Sequence, residues 1–190
     1  MALALFGGTF DPVHNAHLTV AREAADLLGL PRILLIPAAN PPHKSEHTGA
    51  SYEDRFQMVE IACRADARLI ASRLEAGEEK SYTVNTLEKI RAEDQDLYFI
   101  IGADAFAEIT SWYRWRDAMA LTQFVVVTRP GHEYDTPEGA RVHRLDTLAL
   151  PVSSSGIREK LAAGKVPREL PAAVMDYIRE HGLYHWPPRY

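Results

Sequence analysis

Gly7-Gly8-Thr9-Phe10-Asp11-Pro12-Val13-His14-Asn15-Ala16-His17 is the stretch whose reading decides the fold. Just upstream, Ala2–Phe6 is a continuous apolar run, as expected of a strand buried on both faces. Just downstream, Leu18, Ala21, Ala25 and Leu28 recur on one stripe of a helix that Gly29 can terminate. A strand, a glycine turn and a helix start thus follow one another. A helix beginning here places His14 and His17 on one face of its first turn. Unpaired backbone N–H groups and the positive end of the helix dipole attract anions there. The glycines let the backbone approach a ligand closely. The stretch reads as a phosphate-handling site with two imidazoles able to donate to phosphate oxygens.

The pattern repeats along the chain. Arg32–Ile36, Leu69–Ser72, Leu97–Ile101 and Phe124–Thr128 read as further strands, and Val142–Leu150 contains a candidate edge strand. Helices are expected over Tyr52–Arg64, from Ser81-Tyr82-Thr83 onward with Ser81 or Thr83 as N-cap, over Arg116–Leu121, after the Ser153-Ser154-Ser155 run, and over Pro171–His181. Pro37–Ser51 is a long irregular loop, and such loops inside compact domains usually carry function. Strands alternating with helices imply an α/β fold: a mainly parallel, doubly wound sheet with helices on both faces. In such sheets ligands bind beyond the carboxyl ends of the strands. The loops at Gly7–His17, Pro37–Ser51, Gly102–Trp115 and Arg129–Gly131 all follow strands, so they converge on one edge.

Composition bounds the function. The 190 residues suffice for one domain, expected over 1–184, with 185–190 as a short tail that lacks periodicity and is expected to be mobile. A net charge of −5, from 21 basic and 26 acidic residues, disfavours a nucleic-acid coat or a polybasic membrane anchor. The single cysteine, Cys63, excludes an intrachain disulfide and argues against a thiolate metal cluster. No apolar run approaches the roughly 20 residues of a membrane span, and residues 1–6 lack the features of a signal peptide. The expectation is a cytoplasmic, single-domain protein.

The motifs then become specific. Gly-Gly-Thr-Phe-Asp-Pro-x-His-x-x-His is followed by Pro-Pro-His-Lys, by Ser-Tyr-Thr-x-x-Thr-Leu, by Gly-x-Asp with a tryptophan ten residues after the glycine, and by Ser-Ser-x-x-Ile-Arg. This ordered set, spanning residues 7 to 158, resembles bacterial nicotinate-nucleotide adenylyltransferases, Rossmann-like nucleotidyltransferases with a His-x-Gly-His signature. The closing Tyr177-Ile178 and His181-Gly182-Leu183-Tyr184 resemble the family's C-terminal end. One position departs from the signature: Ala16 stands in place of its glycine, adding a methyl where a nucleotide would pack.

The resemblance implies transfer of AMP from ATP to nicotinate mononucleotide in NAD biosynthesis, giving nicotinate adenine dinucleotide and pyrophosphate. Mg2+ is implied as cofactor, bound mainly through the ATP phosphates, and no metal-ligating residue of the chain is assigned. The attacking phosphate is already an anion, so positioning and electrostatics should dominate over general-base chemistry. By that logic His14, His17, Lys44 and Arg158 are the catalytic candidates. Gly8, Thr9, Phe10, Gly102, Asp104, Ser154 and Ser155 join them around ATP, with Asp104 on ribose hydroxyls and Ser154 and Ser155 capping a helix whose N–H groups hold phosphate. Thr83, Trp112, Tyr113 and His43 are the acceptor candidates: Trp112 stacks on the pyridine ring and the Thr83 N–H faces the nicotinate carboxylate. N–H donors suit two carboxylate oxygens and leave an amide NH2 without a partner. Trp115, Cys63, His47, His132 and His143 are read as structural or solvated. No nucleic-acid or membrane partner is expected, and a homo-oligomer is left open. The alternatives are a related enzyme acting on nicotinamide mononucleotide, flavin mononucleotide or pantetheine phosphate, and a non-catalytic nucleotide-binding regulator.

Overall fold

A computed structural model describes residues 2–39, 49–91, 96–149 and 151–187. Six strands, β1 (Leu3–Gly8), β2 (Ile33–Pro37), β3 (Leu69–Ala71), β4 (Leu97–Gly102), β5 (Gln123–Thr128) and β6 (Val142–Asp146), form one sheet in the order β3-β2-β1-β4-β5-β6. Every pairing is parallel. The helices are α1 (Asn15–Leu28), α2 (Tyr52–Cys63), α3 (Thr83–Ile90), α4 (Ala103–Ala107), α5 (Trp115–Leu121), α6 (Ser154–Ala162) and α7 (Ala172–His181), with 3-10 turns at Ile109–Ser111 and Leu183–His185. This is the Rossmann-like arrangement expected from the alternation of apolar runs and helical stripes.

Successive residues of a strand face opposite sides of the sheet. Ala4, Ile100, Val125 and Val127 therefore join α1, α2, α6 and α7 in one core. Leu3, Leu5, Phe99, Ile101, Phe124 and Val126 join α3, α4 and α5 in the other. Continuous apolar runs are thus required of β1, β4 and β5, because neither of their faces meets water. β1 pairs with β2 on one side and with β4 on the other, so the chain reverses its winding at the edge where β1 ends. The Gly7–His17 stretch leaves the sheet at that point.

Local readings differ at two helix starts. The N-cap of α3 is Tyr82, without a side-chain cap; Thr83 is the first helical residue, and Ser81 Oγ instead accepts the Ala39 amide at 3.1 Å. The N-cap of α6 is Ser153, whose hydroxyl accepts the Gly156 amide. Ser154 and Ser155 are therefore not the caps. The Ser154 hydroxyl donates to the Pro12 carbonyl at 3.0 Å, tying α6 to the histidine turn. The capping role moved by one residue because Ser154 has a better use across the fold. At the C-terminus, His185 closes a 3-10 turn and Trp186 packs against the core. Residues 188–190 lie outside the described residues. Among the described residues no helix is long and apolar enough to cross a membrane.

Candidate active site

β1 ends in Gly7 and Gly8, and the Gly8 carbonyl accepts the Ala38 amide at 2.8 Å, joining the ends of β1 and β2. A Cβ on Gly8 would stand 3.1 Å from the Phe10 ring, so glycine lets that ring fold back under the turn. Phe10 has a φ of 50°, a left-handed backbone that turns the chain toward α1. Its buried ring meets His17 edge-on, with centroids 5.0 Å apart. The Phe10 side chain is therefore a support beneath His17, and only its backbone is open to the role assigned from the sequence.

His14 is the N-cap of α1 and His17 lies in its first turn. Their rings stack, with centroids 3.7 Å apart and planes inclined by 22°. The His14 amide donates to His17 Nδ1 at 3.2 Å. That bond requires an unprotonated Nδ1, so a neutral His17 carries its proton on Nε2. Burial lowers the His14 pKa from 6.5 to about 4, against a weaker opposing pull from Glu169. Burial, then the neighbouring His14, holds His17 well below the ordinary histidine value. Both rings are neutral donors at pH 7. The first turn of α1 carries no acidic residue, which leaves the positive end of its dipole open to an anion.

The two rings line a cavity of about 280 Å³ together with Phe6, Ala16, Ser153 and Ser154. Ala16 is 9% exposed, and its methyl occupies wall space that the signature glycine would leave free. A second cavity of about 290 Å³, lined by Asp104, Thr128, Arg129 and His132, shares Gly102 and Val127 with the first. The ends of β4 and β5 thus connect the imidazoles with the carboxylate assigned to a ribose. Asp104 is an exposed residue in the first turn of α4, free to accept from outside the fold.

Arg158 sits elsewhere. Its Nη1 donates to the Asp11 carbonyl at 2.8 Å and its Nη2 to Ser155 Oγ at 3.4 Å. It reaches the base of the histidine turn and does not line the histidine cavity. Thr9 is half-buried, with its carbonyl held by Arg55. His43 and Lys44 lie outside the described residues. On the acceptor side, the Tyr82 ring, at the start of α3, meets the Tyr113 ring with centroids 4.7 Å apart. That contact brings Thr83 and the Trp112-Tyr113 segment to one place. Trp112 is half-buried against the core, and Tyr113 is 54% exposed.

Two residues that sequence reasoning did not assign organise the site. Asp11, inside the decisive stretch, is 3% exposed and accepts the amides of Gly49 and Ala50 and the hydroxyl of Tyr184. Arg55 of α2 is 1% exposed, and its Nη1 donates to the carbonyls of Thr9 and Ala38. Both ends of the segment between Ala38 and Gly49 are thus fastened to the histidine turn. Asp11 could have been noticed as a charge inside an otherwise apolar motif. Arg55 gave one signal, a basic residue beside Phe56 on the apolar side of α2.

The sequence and the fold have counterparts in known proteins. A family model of cytidylyltransferase-like proteins matches residues 5–160. The chain is 54% identical over 188 residues to the probable nicotinate-nucleotide adenylyltransferase of Solibacter usitatus, covering 97% of this chain and 100% of that protein. It is 39% identical over 194 residues to the protein of the same name from Acidothermus cellulolyticus, covering 96% and 93%. The chain belongs to the nicotinate-nucleotide adenylyltransferase family. It is a nucleotidyltransferase. Its fold matches the Plasmodium falciparum nicotinic acid mononucleotide adenylyltransferase complexed with NaAD, with a TM-score of 0.82 at 19% identity over 99% of both chains. In this chain His14-Asn15-Ala16-His17 lies at a helix start, with His14 as the N-cap of α1.

Proposed function

We propose that this nucleotidyltransferase transfers AMP from ATP to nicotinate mononucleotide, producing nicotinate adenine dinucleotide and pyrophosphate. A phosphate oxygen of the mononucleotide attacks the α-phosphorus of ATP. The new P–O bond forms as the bond to the β-phosphate oxygen breaks, and pyrophosphate leaves with the electron pair. The single observation that carries the reading is the stacked, neutral His14–His17 pair at the start of α1, with the His17 proton fixed on Nε2 and both rings facing a cavity. Neutral imidazoles donate to phosphate oxygens without adding charge. Charge compensation then falls to Arg158 and to Lys44, and Mg2+ would add to it when bound to the ATP phosphates.

Among the described residues no group of three or more His, Cys, Asp or Glu side chains could hold a metal ion. Mg2+ would enter on the phosphates of ATP, as part of that substrate. The Asp104 cavity suits the nucleoside of ATP. The start of α3, beside Trp112 and Tyr113, suits the pyridine nucleotide: the free N–H groups of an uncapped helix end favour a carboxylate.

The test is pyrophosphate release from ATP with nicotinate mononucleotide, nicotinamide mononucleotide and pantetheine phosphate compared as acceptors. Preference for nicotinate mononucleotide is expected. Preference for the amide would overturn the acceptor assignment. Release no faster than background with every acceptor would leave a nucleotide-binding regulator.

A further inference from the structure

Three distant segments meet at the Asp11 carboxylate. Its Oδ1 accepts the Tyr184 hydroxyl at 2.7 Å and the Ala50 amide at 3.1 Å. Its Oδ2 accepts the Gly49 amide at 2.6 Å and lies 3.9 Å from Arg158 Nη1. The same arginine nitrogen holds the Asp11 main-chain carbonyl. The turn after β1, the entry to α2 and the 3-10 turn at Leu183–His185 are therefore joined at one buried carboxylate.

The packing there leaves little freedom. A Cβ on Gly49 would stand 2.9 Å from the Tyr184 ring and 3.1 Å from the Arg158 Cδ. Gly49 is wedged between the two side chains. Tyr184 and His185 adopt φ values of 57° and 61°, left-handed backbone that side chains with a Cβ rarely take. With that backbone the Tyr184 ring lies in the core and its hydroxyl reaches the Asp11 carboxylate.

We infer that Tyr184 is a positioning residue for phosphate handling, acting through Asp11 on the histidine turn and on Arg158. This rests on the reaction proposed above, since it concerns how the ATP side of that site is held. Asp11 precedes His14 by one turn of chain. Asp11 also fixes where the Arg158 guanidinium starts from when a polyphosphate arrives. Without the tyrosine hydroxyl, Asp11 keeps its two amide donors but loses the contact that orients Oδ1. The carboxylate and the arginine resting beside it can then rotate.

The experiment is a double-mutant cycle on the full chain: Tyr184→Phe, Asp11→Asn and both together, with kcat and KM measured for ATP and for nicotinate mononucleotide. Tyr184→Phe keeps the ring and its packing. It is expected to lower kcat/KM for ATP about tenfold, with the acceptor KM unchanged, because small displacements of positioning groups cost large factors in rate. The double variant is expected to be no worse than about threefold below the worse single variant, since coupled residues are non-additive. Wild-type kinetics in Tyr184→Phe, with only a lower Tm, would overturn the inference, as would effects that multiply independently.

If Asp11→Asn does not fold, Gly49→Ala takes its place, its Cβ displacing the ring. It should reproduce the Tyr184→Phe profile without compounding it, and independent multiplication would again overturn the inference. The parent chain's acceptor comparison keeps the two readings apart. If it prefers another acceptor, the same cycle is run with that acceptor and the ATP-side expectation stands unchanged. If the parent shows no turnover, ATP binding by calorimetry replaces kinetics, with about tenfold weaker binding expected in Tyr184→Phe. Equal binding by parent and variant, or no ATP binding by the parent, overturns the inference.

Discussion

His17 keeps its Nδ1 on the His14 amide, and that one bond decides what the ring can do. A neutral imidazole so held has a single donor, Nε2–H, and the Phe10 edge and the His14 face restrict its rotation. In the proposed reaction, truncating it removes a donor to the transferring phosphate, and His17 belongs to neither hydrophobic core. His17→Ala is expected to lose more than tenfold in kcat with a small change in Tm, a loss typical of a preorganised donor. Steady-state kinetics with thermal denaturation on the same samples would check it, and a loss in kcat below about threefold would remove the electrostatic role. Ala16 is a second residue-scale test. Its methyl lines the cavity at the start of α1. Ala16→Gly is expected to cost up to about 1 kcal/mol of stability, because glycine is the poorer helix former. It should lower the ATP KM by clearing that wall. An unchanged KM would mean that the nucleotide does not approach the methyl.

At the scale of elements, α3 and α5, beside the proposed acceptor site, pack on the second core and are tied to each other by ion pairs as well. Arg114, at a φ of 50°, donates to both carboxylate oxygens of Glu88 in α3, at 2.8 and 3.2 Å, and to Asp117 in α5 at 2.7 Å. It thereby ties the helix that starts at Thr83 to the segment carrying Trp112 and Tyr113. Pairs this exposed contribute little to stability, on the order of 1 kcal/mol or less. Arg114→Ala is therefore expected to leave Tm within a few degrees of the parent and to raise the acceptor KM by roughly three- to tenfold through misplacement, with the ATP KM unchanged. Equal changes in both KM values would show a general loosening. Arg114→Gly, which suits the left-handed backbone, separates the lost charge from the lost conformation.

Such pairs also mark the boundary of what could be read from the sequence. The elements were legible because β1, β4 and β5 are buried on both faces and must be apolar throughout. The histidine turn was legible because glycines, paired imidazoles and a helix start occur within one short stretch. Tyr82 as N-cap, Ser154 on Pro12 and Arg114 on Glu88 were not legible, since each depends on what lies opposite in space. Arg55 and Tyr184 were hidden for the same reason: a buried arginine or tyrosine makes sense only beside the carbonyls or carboxylate it serves.

For the whole molecule, the buried imidazoles should set the acid limb of stability. A histidine whose folded pKa is depressed binds its proton more readily when the chain unfolds. Below the unfolded value of about 6.5 the unfolded state carries the extra proton, so stability falls as the pH drops and levels off once the folded group also titrates. For His14 the window runs from 6.5 down to about 4, which corresponds to roughly 3 kcal/mol. His17 adds to the loss with the same sign. The depressed carboxylates act in the same direction at lower pH. Asp66 is held at about 2 by hydrogen bonds from Arg68, so its contribution is complete above its unfolded value of 3.8 and is lost as the pH falls toward 2. On the alkaline side, burial raises the Cys63 thiol from 9.0 to about 12. The unfolded thiol ionises first, so stability falls as the pH rises above 9. Calorimetric unfolding across pH is therefore expected to give a dome with its top between about 6.5 and 9, descending on the acid side before any carboxylate titrates. In His14→Gln the descent should be shallower between pH 6.5 and 4, because one of the two imidazoles is gone while the carboxylate limb remains. A parent profile that is flat down to pH 5 would contradict the neutral, stacked pair from which the phosphate-handling reading starts.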